Sequence, residues 1–368
     1  MSIEFERSAA GIDLAVLNIS DTDLARAAPD AIAVHGGYAP RAPHPLAADL
    51  KGHTLATIAA HFGGLVNTNN PHHTSKALVN GLSSIGFKTI IEKTARRIVE
   101  KAYQRDDTLN RIARPLPQEN FKANLVSSVT MHRDLEQTQE GGERPLLMGK
   151  VSDNETNKVG SWGLAILIQR RDVINNDQVL IAQLFAEAAQ LAQRHELKKV
   201  IAYLESNPEL PELDSKGGSS RDWFTVDDGN LVAGDLRKVE GLDAAFQTMR
   251  NQTAANGDRE NIQPRFILAS PKHEIILNHM IHDAGLELDV IVHPDISDDH
   301  YFALADPARQ PAVGVQFIGP PDAREIRTWS ISQVRKLPIE YDGLGYTLDV
   351  DLAPTAISRK GIVRVELN

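Results

Sequence analysis

The sequence contains no cysteine among its 368 residues. Disulfides, thiolate metal centres and a cysteine nucleophile are therefore excluded, and a reducing site of assembly fits. Aromatic residues make up only 5%, which argues against the ring platforms that stack single-stranded nucleic acid. Positive charge is also scarce: 39 Lys and Arg against 49 Asp and Glu give a net charge of −10. A protein that gripped phosphate backbones over its whole surface would lean basic, so contact with DNA is expected through a local face at most. No apolar run approaches the roughly 18–20 residues of a membrane span, so no membrane partner is expected. The N-terminal MSIEFERSAAG has early acids and no apolar centre, unlike a secretory signal. Neither GxxxxGK[ST] nor GxGxxG is present to cradle phosphates, and no GxSxG or HExxH occurs.

What the chain does have is an ordinary globular balance, 42% hydrophobic and 24% charged, and enough length for about two or three domain-sized units. Residues 1–75 are dense in Ala, Pro, Gly and His (ARAAPDAIAVHGGYAPRAPHPLAADL). Pro and Gly at this density break regular elements. The region is expected to be an extended arm with little core of its own, ordered by lying on something else. Its one clear helical stretch is Leu55–Phe62.

From Ser75 to Arg114 the pattern turns helical, with Ile90, Ile91, Ala95, Ile98, Val99 and Ala102 at helix spacing. Lys88, Lys93, Arg96, Arg97 and Lys101 give this segment a local positive balance. They are read either as a solvated helix face or as the face turned towards nucleic acid or an acidic neighbour. Residues 127–168 form two partly alternating arms around a polar middle punctuated by Gly141, Gly142 and Pro145. A long two-stranded loop of this kind is marginal by itself and implies a partner surface. Asn176 or Asp177 then caps a helix expected to run to about Ser206, roughly 40 Å long at 1.5 Å per residue. Leu180, Ile181, Leu184, Phe185, Ala188, Ala189 and Ala192 are expected to form its apolar stripe. After a loop-rich stretch with a KGGSS tract, helices and strands alternate from about Val239 to Gly319, the signature of a compact α/β unit. Pro338–Asn368 reads as further strands.

Chemistry-bearing constellations are weak. His53, His61, His72 and His73 fall close together in sequence, and His279 and His282 sit three apart on an expected helix. Imidazoles at that spacing can bind zinc, but a site needs three or four convergent ligands, and no carboxylates stand at matching spacing. Asp227-Asp228 and Asp298-Asp299 lie in polar turns, where turn formation accounts for them. No catalytic residue, cofactor or metal is expected. Arms and loops that cannot stabilise themselves point to self-assembly.

Four segments then carry a resemblance. They are Lys158–Glu196, with the turn Arg171, Asp172, Val173, Ile174, Asn175, Asn176, Asp177; Leu242–Ile281; Tyr301–Ile326; and Tyr341–Arg364, with Asp342-Gly343 and Arg359 to Gly361. In order and spacing they resemble the Hong Kong 97-like major capsid proteins of tailed bacteriophages and prophages, including the capsid part of proteins that fuse a prohead protease to a capsid protein. The resemblance covers roughly residues 80–368 and includes no protease.

It implies an α+β fold: an N-terminal arm (1–126, with a helix at about 88–105), an extended β-hairpin loop (127–166), a peripheral domain (167–235) with a spine helix (177–206), an α/β axial domain (236–335) and returning peripheral strands (336–368). It further implies a structural protein, not an enzyme. Such a chain would self-assemble into pentamers and hexamers of an icosahedral shell around double-stranded DNA, as part of a virion built in the host bacterial cytoplasm. Portal, scaffold and decoration proteins are the other expected partners. Some family members join the loop to a neighbour through a Lys–Asn isopeptide bond. Lys150 and Lys158 lie in the corresponding region, although no matching catalytic Glu can be assigned. An encapsulin-like nanocompartment is the alternative of the same fold, and a His-dependent metal enzyme the alternative of a different class.

Overall fold

The computed structural model describes residues 19–50, 52–64, 71–103, 108–131, 149–211, 220–236, 239–253, 257, 259–320, 329–334 and 343–367. The chain mixes helices and strands and divides into two compact units. One comprises residues 1–105, 162–194 and 329–350, the other 106–161, 195–328 and 351–368.

The first unit is largely helical. Its centre is the helix Ile85–Ala102, which buries Phe87, Ile90, Ile91, Thr94, Ala95, Ile98 and Val99 along one stripe. Ser84 starts it by accepting the Phe87 amide on its hydroxyl. The helix Asp21–His35 packs along it and buries Leu24, Ala27, Ala28, Ala31, Ile32 and Ala33. The expectation of an arm without core is therefore corrected here. Alanine adds little to a hydrophobic pattern, but it is the best helix former and lets a second helix come close. Helices Leu55–Phe62 and Pro71–Ser83 cross closer still. A Cβ on Gly81 would run into the Ala59 carbonyl, and one on Gly63 into that of Ala77. Asn176, at φ 59°, precedes the long helix, and its Oδ1 accepts the Leu55 amide at 2.8 Å. The residue expected to cap the long helix thus satisfies the start of another. Strand Trp329–Gln333 pairs antiparallel with the first residues of the long strand Gly343–Ala356.

The second unit holds a five-stranded sheet in the order Leu231–Gly234, Ile362–Leu367, His300–Ala305, Pro264–Ala269, Asp289–Val292. Its central strand His300–Ala305 is buried at every position, which requires cover on both faces. Helices Val239–Arg250 and Glu274–Asp283 supply one face: Leu242, Ala245, Met249, Leu277, Met280 and Ile281 pack on Ile267, Tyr301, Ala303, Val363 and Val365. The aromatic run Trp223, Phe224, Phe302 lies on the other, with ring centroids 5.0 and 5.5 Å apart. The last strand of the chain, Ile362–Leu367, sits inside this sheet between His300–Ala305 and Leu231–Gly234. It belongs with the α/β unit, a correction to its expected place among separate terminal strands.

Elsewhere in this unit, Arg114–Gln118 pairs parallel with Val313–Ile318, which pairs in turn with the end of Gly343–Ala356. Pro115 and Pro117 fit because, among the described residues, this strand has a partner on one side only. A two-stranded ribbon joins Asn124–Met131 to Gly149–Asn157, with a register shift at Ser128/Val129. The expected loop tip, with Gly141, Gly142 and Pro145, lies outside the described residues. So do residues 216–219 of the KGGSS tract. The strand Gly160–Gln169, expected as the returning arm of that loop, pairs instead with Gly343–Ala356.

Candidate functional site

The basic helix was the first candidate surface. Its buried stripe turns Lys93, Arg96 and Lys101 to solvent and leaves Lys88 and Arg97 half-buried. The two arginines are already engaged. Arg97 Nη1 forms an ion pair with Asp30 Oδ1, 2.9 Å away, and Asp30 Oδ2 accepts the His44 amide at 2.8 Å. Because Asp30 is buried, this pair fixes the packing of its helix and leaves little for a ligand. Arg96 donates to Glu92 and to the Ile331 carbonyl at 2.7 Å. The Lys88 carbonyl accepts the hydroxyl of buried Tyr346 at 3.0 Å, and burial pushes that phenol's pKa upward. Lys93 and Lys101 remain as exposed cations with no ion pair among the described residues.

On the ribbon, Lys150 lies in the strand Gly149–Asn157 opposite Thr130. Lys158 follows that strand and is exposed. Its amide donates to Asn157 Oδ1 at 2.8 Å, while Asn157 Nδ2 donates to the Pro354 carbonyl at 2.5 Å.

The histidines whose side chains are described do not converge. His61 pairs with Asp21 at 2.8 Å, His53 offers its carbonyl to Gln178, and His73 is exposed. His279 bonds Asp283 at 2.8 Å, and His282 lies 3.6 Å from the same carboxylate. Among the described residues no three His, Asp or Glu side chains are grouped to hold a metal ion. No helix described is long and apolar enough to cross a membrane.

Two features escaped the sequence pattern. The long helix, Gln178–Glu205, has two apolar faces. Ile181, Ala182, Phe185, Ala188, Ala189 and Ala192 are buried, whereas Leu180, Leu184 and Leu191 are exposed, Leu191 by 50%. The single stripe expected from periodicity therefore splits, and Leu180 and Leu184 fall on the open side. The second feature is a set of polar side chains buried in the α/β unit. Asn230 is fully buried and bonds the Trp223 carbonyl at 2.7 Å and the Thr225 amide at 2.8 Å. His300 is 2% exposed and meets Glu205 at 2.8 Å. Near the end of the long helix, His195 and His293 are both held below the usual imidazole pKa, by burial first and then, among their other neighbours, by Lys198. His300 and His293 carry no sequence signature because Glu205 and Lys198 stand far away in the chain, and no local period marks Asn230 as buried although Trp223 and Thr225 lie within a few residues of it.

A protein family described as phage capsid protein matches residues 154–365, more than half of the chain. The chain belongs to this family. It is a structural capsid protein of the phage virion.

Among curated proteins no sequence matches this capsid protein. Solved structures similar to it include the virus-like particle of Pyrococcus furiosus, with 13% identity and a TM-score of 0.47 over 74% of this chain and 98% of that one. An encapsulin from Synechococcus elongatus PCC 7942 has 11% identity and a TM-score of 0.45, covering 71% and 87%. Microbacterium phage Oxtober96 follows with 9% identity and 0.44, covering 70% and 89%.

Proposed function

We propose that this capsid protein is the major shell subunit of a tailed phage or prophage, which makes slightly different contacts in rings of five and six and closes an icosahedral shell around double-stranded DNA. The observation that carries this reading is the capsid-family match across residues 154–365. Closed symmetry turns individually modest interfaces into large total binding, so no single contact need be strong.

In this reading the fold is Hong Kong 97-like. The ribbon Asn124–Met131 with Gly149–Asn157 is the base of the extended loop, and the α/β unit around His300–Ala305 packs about the ring centres. Exposed Lys93 and Lys101, with Lys88, supply the DNA-proximal charge. Lys150 and Lys158 are the loop lysines placed for contact or cross-linking with a neighbour. Assembly takes place in the bacterial cytoplasm, with portal, scaffold or decoration proteins as further partners.

The test is electron microscopy and size-exclusion chromatography of the chain expressed alone, then with scaffold and portal supplied. Closed shells, or rings of five and six, are the expected outcome. A small monodisperse species that persists with both partners present would refute the reading. Shells that enclose protein and exclude DNA would move the protein to the nanocompartment class.

A further inference from the structure

The sheet of the α/β unit has unlike ends. At one end, where Pro264 opens a strand and Ala305 closes its neighbour, lies a cavity of about 660 Å³. Three arginines from three different elements line it: Arg250 at the end of a helix, Arg265 on a strand and Arg309 in a turn. Two are held in place. Arg250 lies over the Phe246 ring, 6.0 Å from its centroid, and Arg265 Nη1 donates to the Glu287 carbonyl at 3.2 Å. None of the three makes an ion pair among the described residues. The cavity's carboxylates are Glu287 and Asp306, and Asp306 is turned to the Ala308 amide at 2.9 Å. In a chain of net charge −10, this is a local cationic excess with an apolar floor that includes Leu286 and Leu288.

The other end carries the turn between Val292 and His300. A six-residue strand separates the two ends by about 20 Å. Buried Ile296 pins the turn from below, and Asp295, Asp298 and Asp299 are exposed on it. Asp298 is partly answered by Ser270 at 2.7 Å and Lys272 at 3.6 Å, and Asp295 by Lys198 at 3.5 Å. Asp299 has no ion pair among the described residues.

We propose that the arginine-lined cavity is one half of a head-to-tail contact between copies of this chain, and that it receives the Asp295–Asp299 turn of the neighbouring copy. This rests on the shell reading above and deepens it by naming the two surfaces. A cationic cavity cannot pair with its own image, because like charges repel. A ring requires two different, complementary patches on one unit, and opposite charge sets register as well as attraction. The apolar floor suits a folded turn better than a phosphate backbone.

The absence of cysteine makes a clean test available. Arg309→Cys and Asp299→Cys are placed together in the full chain, which is assembled and then oxidised. Disulfides form only where Cα atoms come within about 7 Å. The expected product on non-reducing electrophoresis is a ladder ending at covalent rings of five and six, whereas each single variant stops at dimer or below. As a second arm, Arg265→Glu with Arg309→Glu is expected to lower the assembled fraction about tenfold or more, and adding Asp295→Lys with Asp299→Lys to restore it. Circular dichroism verifies that each variant is folded.

The proposal is overturned if the double-cysteine chain stays monomeric inside closed shells, or if the folded charge-reversed chain assembles like wild type. Normal assembly with loss of bound nucleic acid would make the cavity a phosphate site and also overturn it. Wild type that forms no closed particle, even with scaffold and portal supplied, removes the shell reading and this contact together.

Discussion

Asn230 offers a sharp test of how the α/β unit is held. Its side chain is fully buried and uses both of its ends. Nδ2 donates to the Trp223 carbonyl at 2.7 Å and to the Arg359 carbonyl at 3.2 Å, and Oδ1 accepts the Thr225 amide at 2.8 Å. Asn230→Ala leaves two buried carbonyls and one half-buried amide without partners. At about 1–3 kcal/mol per orphaned group, reduced where water reaches Thr225, the expected loss is about 3–5 kcal/mol. Asn230→Asp is the more telling variant. It keeps the acceptor for Thr225 but aims a carboxylate oxygen at two carbonyls. At pH 7 it is expected to cost more than alanine does, because a buried charge then faces like dipoles. The only relief is protonation, so the new carboxyl titrates above the ordinary carboxylate range and its penalty relative to wild type shrinks between about pH 7 and pH 5. Urea denaturation of unassembled subunits, followed by tryptophan fluorescence, reads all three chains. An alanine variant within about 0.5 kcal/mol of wild type, a size typical of changes that touch nothing important, would refute the reasoning. So would an aspartate variant no worse than alanine at pH 7.

Four further outcomes are expected. Gly81→Val drives a side chain into the Ala59 carbonyl, and thermal melting should show a loss of about 1–3 kcal/mol or more, with Gly81→Ala in between. Arg97→Ala should destabilise the first unit through its buried partner Asp30. Lys93→Glu with Lys101→Glu should leave the melting temperature unchanged and reduce retained DNA in a salt-dependent way. Finally, His195 and His293 have folded pKa values below 6.5, so the unfolded chain binds more protons around that pH. Their contribution is complete above about pH 6.5 and falls away as pH drops towards the folded values. The denaturation midpoint should decline below that point, and His195→Gln with His293→Gln should flatten the decline.

The regular alternation of strands and helices from Val239 to Gly319 and the long helix were legible because each element carries its own period and its own stops, such as Pro208 after the helix and Pro271 at a helical first turn. The helix Asp21–His35 was not, because its buried face is mostly alanine and it carries Pro29. The strand Arg114–Gln118 was hidden by its two prolines, which only an edge position permits. The candidate surfaces divided in the same manner. The run of basic residues was visible, but which of them are engaged depends on Asp30 and Ile331, distant in sequence from Arg96 and Arg97.

By itself the sequence determined the absence of thiol chemistry, the low charge of positive sign, the helical and alternating segments, and a pattern of capsid-like segments in order. Those properties are local, set by residue type and by spacing within one element. Only the tertiary structure decided that the final strand Ile362–Leu367 lies inside the α/β sheet, that Leu180, Leu184 and Leu191 stay exposed on the long helix, and that three arginines far apart in the chain meet at one cavity. Those outcomes depend on pairings between distant segments, and an individual strand or helix carries no record of which partner will cover it.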